Sequence, residues 1–262
     1  MPELPEVETV VRSLRPLIEG RRILSAEFDG SRIFRGSAEG AAAELAGQRI
    51  EHVGRMGKFI AIRLDRGALA VHLGMTGRLL FDAEPTKWTH AVFTLDSGTL
   101  LYDDPRQFGR IEYGPELPER LLLLGPEPLE VTPQEFARRL KTKRSPVKAA
   151  LLNQSVLRGV GNIYADEALF RAGIRPDALA SRLGRERVLR LHRAVQEVLS
   201  EAIDSRGSSV SDYVDAEGRK GGFQASHRVY RRDGQPCTVC GSEIRRIVLA
   251  QRGTHFCARC QK

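Results

Sequence analysis

The chain has 262 residues, of which 41% are hydrophobic, and carries a formal net charge of +8 with a pI near 9.6. This length suffices for a sizeable core and for two domains, and the lack of any long apolar stretch excludes a bilayer-spanning helix. Residues 1–6 contain neither a basic region nor an apolar run, so we predict no signal peptide and expect a cytoplasmic protein. The positive charge indicates either a phosphate-binding surface or an ordinary solvated face.

The first predicted element is an N-terminal helix. Apolar residues recur at helical spacing from Val7 to Ile18, and Pro5 suits a first turn. Pro16 is expected to kink this helix or to end it early, because proline cannot donate the backbone hydrogen bond of a helix interior.

Pro2, just before this helix, is a candidate nucleophile. If Met1 is removed, Pro2 presents a terminal amine, and the reference α-amino pKa of about 7.7–8.0 gives a neutral fraction about 10²–10³ larger than that of lysine at pH 7. Such an amine can attack a sugar carbon and form an iminium, or Schiff-base, intermediate. Glu3 and Glu6 can shuttle the protons that this chemistry needs. Taken alone, Pro2 also fits an ordinary second residue, and the two glutamates fit the electrostatics of a helix start.

Short alternating runs follow the first helix, and turn sequences such as Asp65-Arg66-Gly67 separate them. Many short strands with tight turns are typical of a β-sandwich or barrel-like domain. The predicted strands are Ile23–Phe28, Ile50–Val53, Phe59–Leu64, Leu69–Leu73, Ala91–Leu95 and Thr99–Tyr102.

The second half of the chain is predicted to be helical. Proline and glycine mark a linker over Gly125–Pro133, and Thr132 followed by Glu135 is typical of a capped helix start. A polar, glycine-rich loop is predicted over 207–226. The other predicted helices cover Val147–Leu157, Tyr164–Ala172 and about Arg185–Ser205.

The four cysteines of the chain all lie near its C-terminus, as two CxxC pairs separated by sixteen residues. They are Cys237, Cys240, Cys257 and Cys260. Two such pairs can converge on one tetrahedral Zn²⁺, and four ligands leave no open position, which predicts one structural zinc. A pair of disulfides is the alternative and requires an oxidising compartment. Residues 231–262 also carry a balance of +5, so the hairpin is a candidate phosphate-contacting element.

Six sequence motifs carry a resemblance to a known family. They are residues 2–9 (Pro-Glu-Leu-Pro-Glu-Val-Glu-Thr), 57–59 (Gly-Lys-Phe), 72–77 (His-Leu-Gly-Met-Thr-Gly), 104–109 (Asp-Pro-Arg-Gln-Phe-Gly), 159–167 (Gly-Val-Gly-Asn-Ile-Tyr-Ala-Asp-Glu) and 251–253 (Gln-Arg-Gly) in the zinc hairpin. In this order and over the whole chain, the sequence resembles the bacterial formamidopyrimidine-DNA glycosylases, also called 8-oxoguanine DNA glycosylases.

The resemblance implies a bifunctional repair enzyme acting on double-stranded DNA that contains oxidised bases or abasic sites. Pro2 would be the nucleophile at C1′ of the damaged nucleotide, and Glu3 the general acid and base. Lys58 would contact phosphate and assist catalysis, and Glu6 would be a secondary acid of the active site. The enzyme would excise 8-oxoguanine and formamidopyrimidines and then cleave the strand by β,δ-elimination. We expect a monomer in the bacterial cytoplasm, at the nucleoid when bound to DNA.

The resemblance also assigns the contacts with DNA. Met75, Arg106 and Phe108 would enter the duplex where the lesion leaves it, and Arg106 would hydrogen-bond the orphaned cytosine. Further DNA contacts are implied for His90, Asn162 and Arg252. A lid over Gly218–Gln224 would cover the extruded base.

The expected fold class is α+β with two domains. A β-sandwich with an N-terminal helix would span residues 1–130. A helical domain with a helix–two-turn–helix element and the lid would span 131–226, followed by the four-cysteine zinc β-hairpin over 227–262, with DNA in a basic cleft between the domains.

Three positions depart from the family pattern: Asn153 replaces an aspartate, Gly222 an aromatic residue, and Arg231-Arg232 a Gly-Arg pair. These departures concern lid details and lesion preference. Two alternatives remain, an endonuclease VIII-like activity on oxidised pyrimidines and a non-catalytic zinc DNA-binding module. Leu4 and the Arg106-Gln107-Phe108 segment favour the purine branch.

Overall fold

The computed structural model describes residues 1–210 and 212–262. The chain forms two compact units, of which the first contains Met1–Leu123 and Ser205–Gly222 and the second contains Leu124–Asp204 and Phe223–Lys262. The predicted polar loop over 207–226 includes Ser211, which lies outside the described residues. None of the helices in the described part of the chain is long and apolar enough to cross a membrane.

In the part of it that the structure describes, the first unit contains two β-sheets and three helices. Its elements are α1 (Leu4–Ile18), β1 (Ile23–Phe28), β2 (Phe34–Arg35), α2 (Ala38–Leu45), β3 (Ile50–Met56), β4 (Phe59–Leu64), β5 (Gly67–His72), β6 (Arg78–Phe81), β7 (Thr89–Leu95), β8 (Thr99–Asp103), β9 (Arg110–Gly114) and α3 (Glu119–Leu122). One sheet has the antiparallel order β1-β7-β8-β6, and the other has the order β2-β9-β5-β4-β3, in which β2 and β9 are parallel.

Both sheets and helix α1 share one hydrophobic core, as the predicted sandwich with an N-terminal helix requires. The helix includes Pro16 and ends only at Ile18, so the prediction that Pro16 ends it early is wrong. Leu14 and Ile18 are fully buried on either side of this proline. Their burial keeps the last turn helical despite the one hydrogen bond that proline cannot donate.

The second unit is helical and ends in a β-hairpin. Its helices are α4 (Pro133–Lys141), α5 (Val147–Leu152), α6 (Asn162–Arg171) and α7 (Arg185–Asp204), and its strands are β10 (Ile244–Leu249) and β11 (Arg252–Cys257). The predicted cap of α4 is confirmed, because Thr132 Oγ1 accepts the N–H of Glu135 at 3.2 Å. Helix α5 is shorter than predicted, because Asn153 accepts the N–H and the hydroxyl of Ser155 in a local turn that competes with the helix.

Candidate active site and nucleic-acid interface

The start of helix α1 contains two buried carboxylates, those of Glu3 and Glu6. Glu6 Oε2 accepts the backbone N–H of Glu3 at 2.8 Å, and Glu6 Oε1 accepts the N–H of Ser208 at 2.7 Å. Gly207 has a φ of +78°, and a Cβ there would lie 2.8 Å from Glu6 Oε1, so glycine permits this approach. Two N–H donors therefore fix Glu6, and Glu6 in turn fixes the backbone next to Pro2, which is also buried.

The hydroxyl of Tyr213 gives the same helix start a second anchor. It donates to the backbone oxygen of Glu6 at 3.2 Å, and Tyr213 lies in the core of the first unit. Burial raises the pKa of Tyr213, and the nearby Glu6 carboxylate raises it further, so the hydroxyl remains a donor at neutral pH. Sequence reasoning missed Ser208 and Tyr213, because nothing local connects them with a glutamate some two hundred residues away.

Lys58 lies on the two-residue turn between β3 and β4, where Met56 pairs with Phe59. Gly57 supplies the positive φ, 61°, that such a hairpin turn requires. Arg55 connects this turn with helix α1, because its Nε donates to Glu8 Oε2 at 2.9 Å and its Nη1 donates to Gly57 O at 3.3 Å. The hairpin that carries Lys58 is thus attached to the helix that follows Pro2.

His72 lies at the end of β5, and its Nδ1 accepts the N–H of Gly74 at 3.1 Å. Burial, together with the positive charges of Lys58, Arg120 and Arg110, lowers the pKa of His72 to about 4. At neutral pH the ring is therefore uncharged, as the hydrogen bond from Gly74 requires.

We expect His72 to make the protein less stable as the pH falls from 6.5 to 4. In this window the unfolded chain binds a proton that the folded chain excludes, which removes about 3 kcal/mol of unfolding free energy by pH 4. A His72→Asn variant, whose amide oxygen can still accept from Gly74, should lose this part of the pH dependence. The measurement is urea unfolding at several pH values between 4 and 7, and an unchanged slope in the variant contradicts the prediction.

The three predicted intercalating residues lie on two loops that touch each other. Met75 and Phe108 are exposed to 41% and 51%, although both are large and apolar, and the Arg106 guanidinium lies 4.5 Å from the centre of the Phe108 ring. A Cβ on Gly74 would lie 2.5 Å from the backbone nitrogen of Gly109, so only glycine permits this contact between the loops. The structure thus brings Arg106 and Phe108 together and places Met75 on the adjoining loop, with all three side chains exposed, as an intercalating wedge requires.

Asp104 holds the two loops together. Its Oδ1 accepts the Thr76 hydroxyl at 2.5 Å, and its Oδ2 accepts the N–H of Gly109 at 2.8 Å. The carboxylate is fully buried, so these hydrogen bonds are shielded from water. Asp104 belongs to a motif that carries the resemblance, but sequence reasoning gave it no role.

His90 is buried, and both of its ring nitrogens have protein partners. Its Nδ1 lies 2.6 Å from Asp29 Oδ2, and its Nε2 lies 3.0 Å from the backbone oxygen of Asp104. The structure places His90 as a support for the loop that carries Arg106, and a direct contact with DNA stays a prediction.

In the second unit, the structure brings Asn162 close to the turn of the hairpin. Asn162 is the first residue of α6, and its Nδ2 donates to Gly253 O at 3.1 Å. Arg252, next to this glycine, is exposed. The two predicted phosphate contacts therefore lie on neighbouring backbone, with the N–H groups of a helix start beside them.

A buried ion pair supports this arrangement. Lys148 and Asp166 are fully buried and 2.7 Å apart, and Lys148 Nζ also donates to Gly253 O at 3.0 Å and to Thr254 Oγ1 at 2.8 Å. Asp166 Oδ2 accepts the N–H of His255 at 2.9 Å. Helices α5 and α6 thereby fix the hairpin turn that carries Arg252, a connection that the sequence analysis missed.

We expect Lys148→Met to lower the free energy of unfolding by about 3–5 kcal/mol, because it leaves the Asp166 carboxylate buried without its cation. The double variant Lys148→Met with Asp166→Asn should recover part of this loss, since it removes the uncompensated charge. Urea unfolding of the three proteins measures both effects. A double variant no more stable than the single one contradicts this explanation.

The four cysteines form a compact group at the other end of the hairpin. Their Sγ atoms all lie within 4.8 Å of one another, with 3.9 Å between Cys237 and Cys260 and 3.5 Å between Cys240 and Cys257. Tetrahedral Zn²⁺ with bonds of about 2.3 Å places its sulfurs about 3.8 Å apart, so the cluster fits this ion. All four cysteines are free, so the disulfide alternative is wrong.

Three family profiles match successive parts of the chain. They describe the formamidopyrimidine-DNA glycosylase N-terminal domain (residues 1–111), the formamidopyrimidine-DNA glycosylase H2TH domain (124–214) and a zinc finger found in FPG and IleRS (234–262). A formamidopyrimidine-DNA glycosylase from Solibacter usitatus is 58% identical over 264 residues, which cover both chains completely. The chain belongs to the formamidopyrimidine-DNA glycosylase family.

Two solved structures of this family resemble the present one. The MutM (Fpg) protein from Thermus thermophilus has a TM-score of 0.91 and 46% identity, covering 99% of this chain and 98% of its own. A Lactococcus lactis Fpg variant in complex with DNA containing Fapy-dG has a TM-score of 0.92 and 36% identity, with both chains fully covered. The predicted family, the two-domain α+β fold and the single structural zinc of the hairpin are confirmed.

Proposed function

We propose that the chain is a base excision repair enzyme that excises oxidised purines, namely 8-oxoguanine and formamidopyrimidines, and cleaves the resulting abasic strand as an AP lyase. One observation carries the proposal. Pro2, Glu3 and Glu6 lie at one helix start, and the Glu8–Arg55 ion pair joins this helix to the turn of Lys58. Full-length similarity to formamidopyrimidine-DNA glycosylases supports the substrate class.

In the proposed reaction, the nitrogen of Pro2, freed by removal of Met1, forms a bond to C1′ while the bond from C1′ to the base breaks. The departing base takes up a proton, and opening of the sugar ring gives an iminium ion. Loss of a C2′ proton then expels the 3′ phosphate, loss of a C4′ proton expels the 5′ phosphate, and water hydrolyses the imine to release Pro2. Glu3 carries the protons, and Glu6 holds the backbone of Glu3 in place.

The remaining side chains are proposed to hold the DNA. Lys58 neutralises a phosphate near the reacting sugar, while Asn162 and Arg252 grip the backbone through donors to phosphate oxygens. Met75, Arg106 and Phe108 fill the space of the extruded nucleotide, and Arg106 donates to the base left behind. Zinc supplies no step of the reaction, because four cysteines saturate it, and stabilises the hairpin that carries Arg252.

Borohydride trapping tests the proposal. A duplex with one 8-oxoguanine should give a covalent protein–DNA adduct, because borohydride reduces the imine to a stable amine, and an undamaged duplex should give none. Absence of an adduct on both 8-oxoguanine and abasic DNA contradicts the proposed mechanism and leaves the non-catalytic binding module. A panel with oxidised pyrimidines separates the endonuclease VIII-like alternative, which predicts faster excision of those bases.

A further inference from the structure

We propose that the second unit carries an additional surface for the phosphate backbone of duplex DNA, beyond the contacts assigned to Asn162 and Arg252. This α4–α5 basic surface consists of Lys141, Lys143, Arg144, Arg182 and Arg185. The inference rests on the proposed function, because it extends the footprint of a protein that binds DNA.

The charge of this surface is not neutralised. Five of the seven residues over 138–144 are basic, and the first two of them, Arg138 and Arg139, form ion pairs with Glu135 at 3.3 and 2.8 Å. In contrast, within residues 1–210 and 212–262 no cation of the α4–α5 basic surface forms a salt bridge or a side-chain hydrogen bond. Clustered cations that form no ion pair with a carboxylate repel each other, so an anion that binds all of them is stabilised. The nearby Glu186 pairs with Arg190 instead.

The five cations lie on adjoining backbone, although they come from two parts of the chain. The N–H of Ser181 donates to Lys143 O at 3.1 Å, and the N–H of Ala180 donates to Ser145 O at 3.0 Å. Arg182 follows this contact directly, and Arg185 begins α7 three residues later. Four of the five side chains are exposed and Lys143 is half-buried. The surface is therefore continuous and accessible.

Its position matches a path along DNA. Arg144 lies four residues before Lys148, whose Nζ contacts the same Gly253 oxygen as Asn162. Four residues span at most about 14 Å between Cα atoms. The Lys148 side chain and its 3.0 Å hydrogen bond to Gly253 add less than about 10 Å, so the whole separation is at most about seven nucleotide steps of 3.4 Å along one strand. A strand gripped at Asn162 and Arg252 thus has further phosphates within reach of this surface.

The composition favours nucleic acid over a protein partner. Lysine and acidic residues are depleted at protein–protein interfaces, which have apolar and aromatic centres. Lysine and arginine side chains without partners in the protein bind DNA phosphates and release the counterions condensed on the DNA. The proposed occupant is therefore a duplex, recognised through its charge and without sequence preference.

The salt dependence of binding tests the inference. The triple variant Lys141→Gln, Lys143→Gln and Arg144→Gln and the wild type are titrated with a long undamaged duplex between 50 and 200 mM salt. Each lost phosphate contact lowers the slope of log K against log salt by about 0.9, so the triple variant should lose about 2.7. Between 50 and 200 mM salt, the factor by which affinity falls should therefore be about 40 times smaller for the triple variant than for the wild type.

A matched control removes the same charge elsewhere. Arg22, Arg63 and Arg66 are exposed arginines of the first unit, and their triple replacement by glutamine also lowers the net charge by three. This control should keep the wild-type slope. An unchanged salt slope in the surface variant overturns the inference. An equal decrease of the slope in both variants also overturns it, because net charge alone would then determine binding. Borohydride trapping of the wild type tests catalysis separately. If the wild type forms the adduct while the surface variant keeps the wild-type salt slope, only the additional DNA surface is refuted.

Discussion

A protein whose N-terminus is blocked by an uncleaved extension ahead of Pro2 is expected to form no borohydride-trapped adduct. In the blocked protein, the Pro2 nitrogen is part of an amide, and its delocalised lone pair is not nucleophilic. The rate of abasic DNA cleavage should fall by at least about a thousandfold, since loss of a catalytic nucleophile lowers kcat by up to about a millionfold.

The matched control carries the same extension at the C-terminus and keeps a free Pro2. Its intact mass should correspond to a chain without Met1, and it should trap and cleave like the untagged protein. Equal trapping by the two tagged proteins, with the N-terminal extension still present by mass, would exclude Pro2 as the nucleophile. That result would contradict the proposed mechanism and would not bear on the fold.

Replacement of Cys257 by serine is expected to abolish zinc binding and the grip on DNA. Cys257 is buried in the small core of the hairpin with Val229 and Ile244. In zinc-finger peptides, metal binding contributes about 10–16 kcal/mol and drives folding, so a three-cysteine hairpin should not hold its structure. Arg252 and the Gly253 oxygen would then lose their fixed positions. Metal analysis should give one zinc per wild-type chain and none in the variant, with binding to damaged duplex weakened at least about a hundredfold.

Val239→Ser provides the control for this replacement. Val239 lies between the first two cysteines and is 73% exposed, so serine there removes no ligand and little buried area. This variant should keep its zinc and its affinity. If Cys257→Ser binds damaged DNA as tightly as Val239→Ser does, the hairpin is not part of the DNA grip.

The elements that the sequence predicted well are those with a local signal. Strands β1 and β4 have the predicted bounds, because each is a short, largely apolar run between clear turn sequences. Strand β6 was missed, since its arginine is followed by only three apolar residues, which show no alternation. Helix α2 was missed because half of its residues are alanine and it contains Gly40, so that it shows almost no apolar stripe.

The candidate site divides in the same way. The zinc ligands were predictable, because each CxxC pair is close in sequence and the pairs need only a hairpin to meet. The partners of Glu6 and Lys148 were not, because Ser208 and Gly253 are 202 and 105 residues away. No periodicity or motif encodes such long-range pairings, which depend on how whole elements pack.

The return of Ser205–Gly222 to the first unit has a consequence for synthesis on the ribosome. Glu6 meets its partner Ser208 only after the entire 20-residue helix α7 has been made. The N-terminal half therefore cannot complete the hydrogen bonds of Glu6 while it emerges, although translation favours folding of N-terminal domains first. Prematurely terminated chains would lack these hydrogen bonds, so an incomplete polypeptide would not yet hold the start of α1 in its final arrangement.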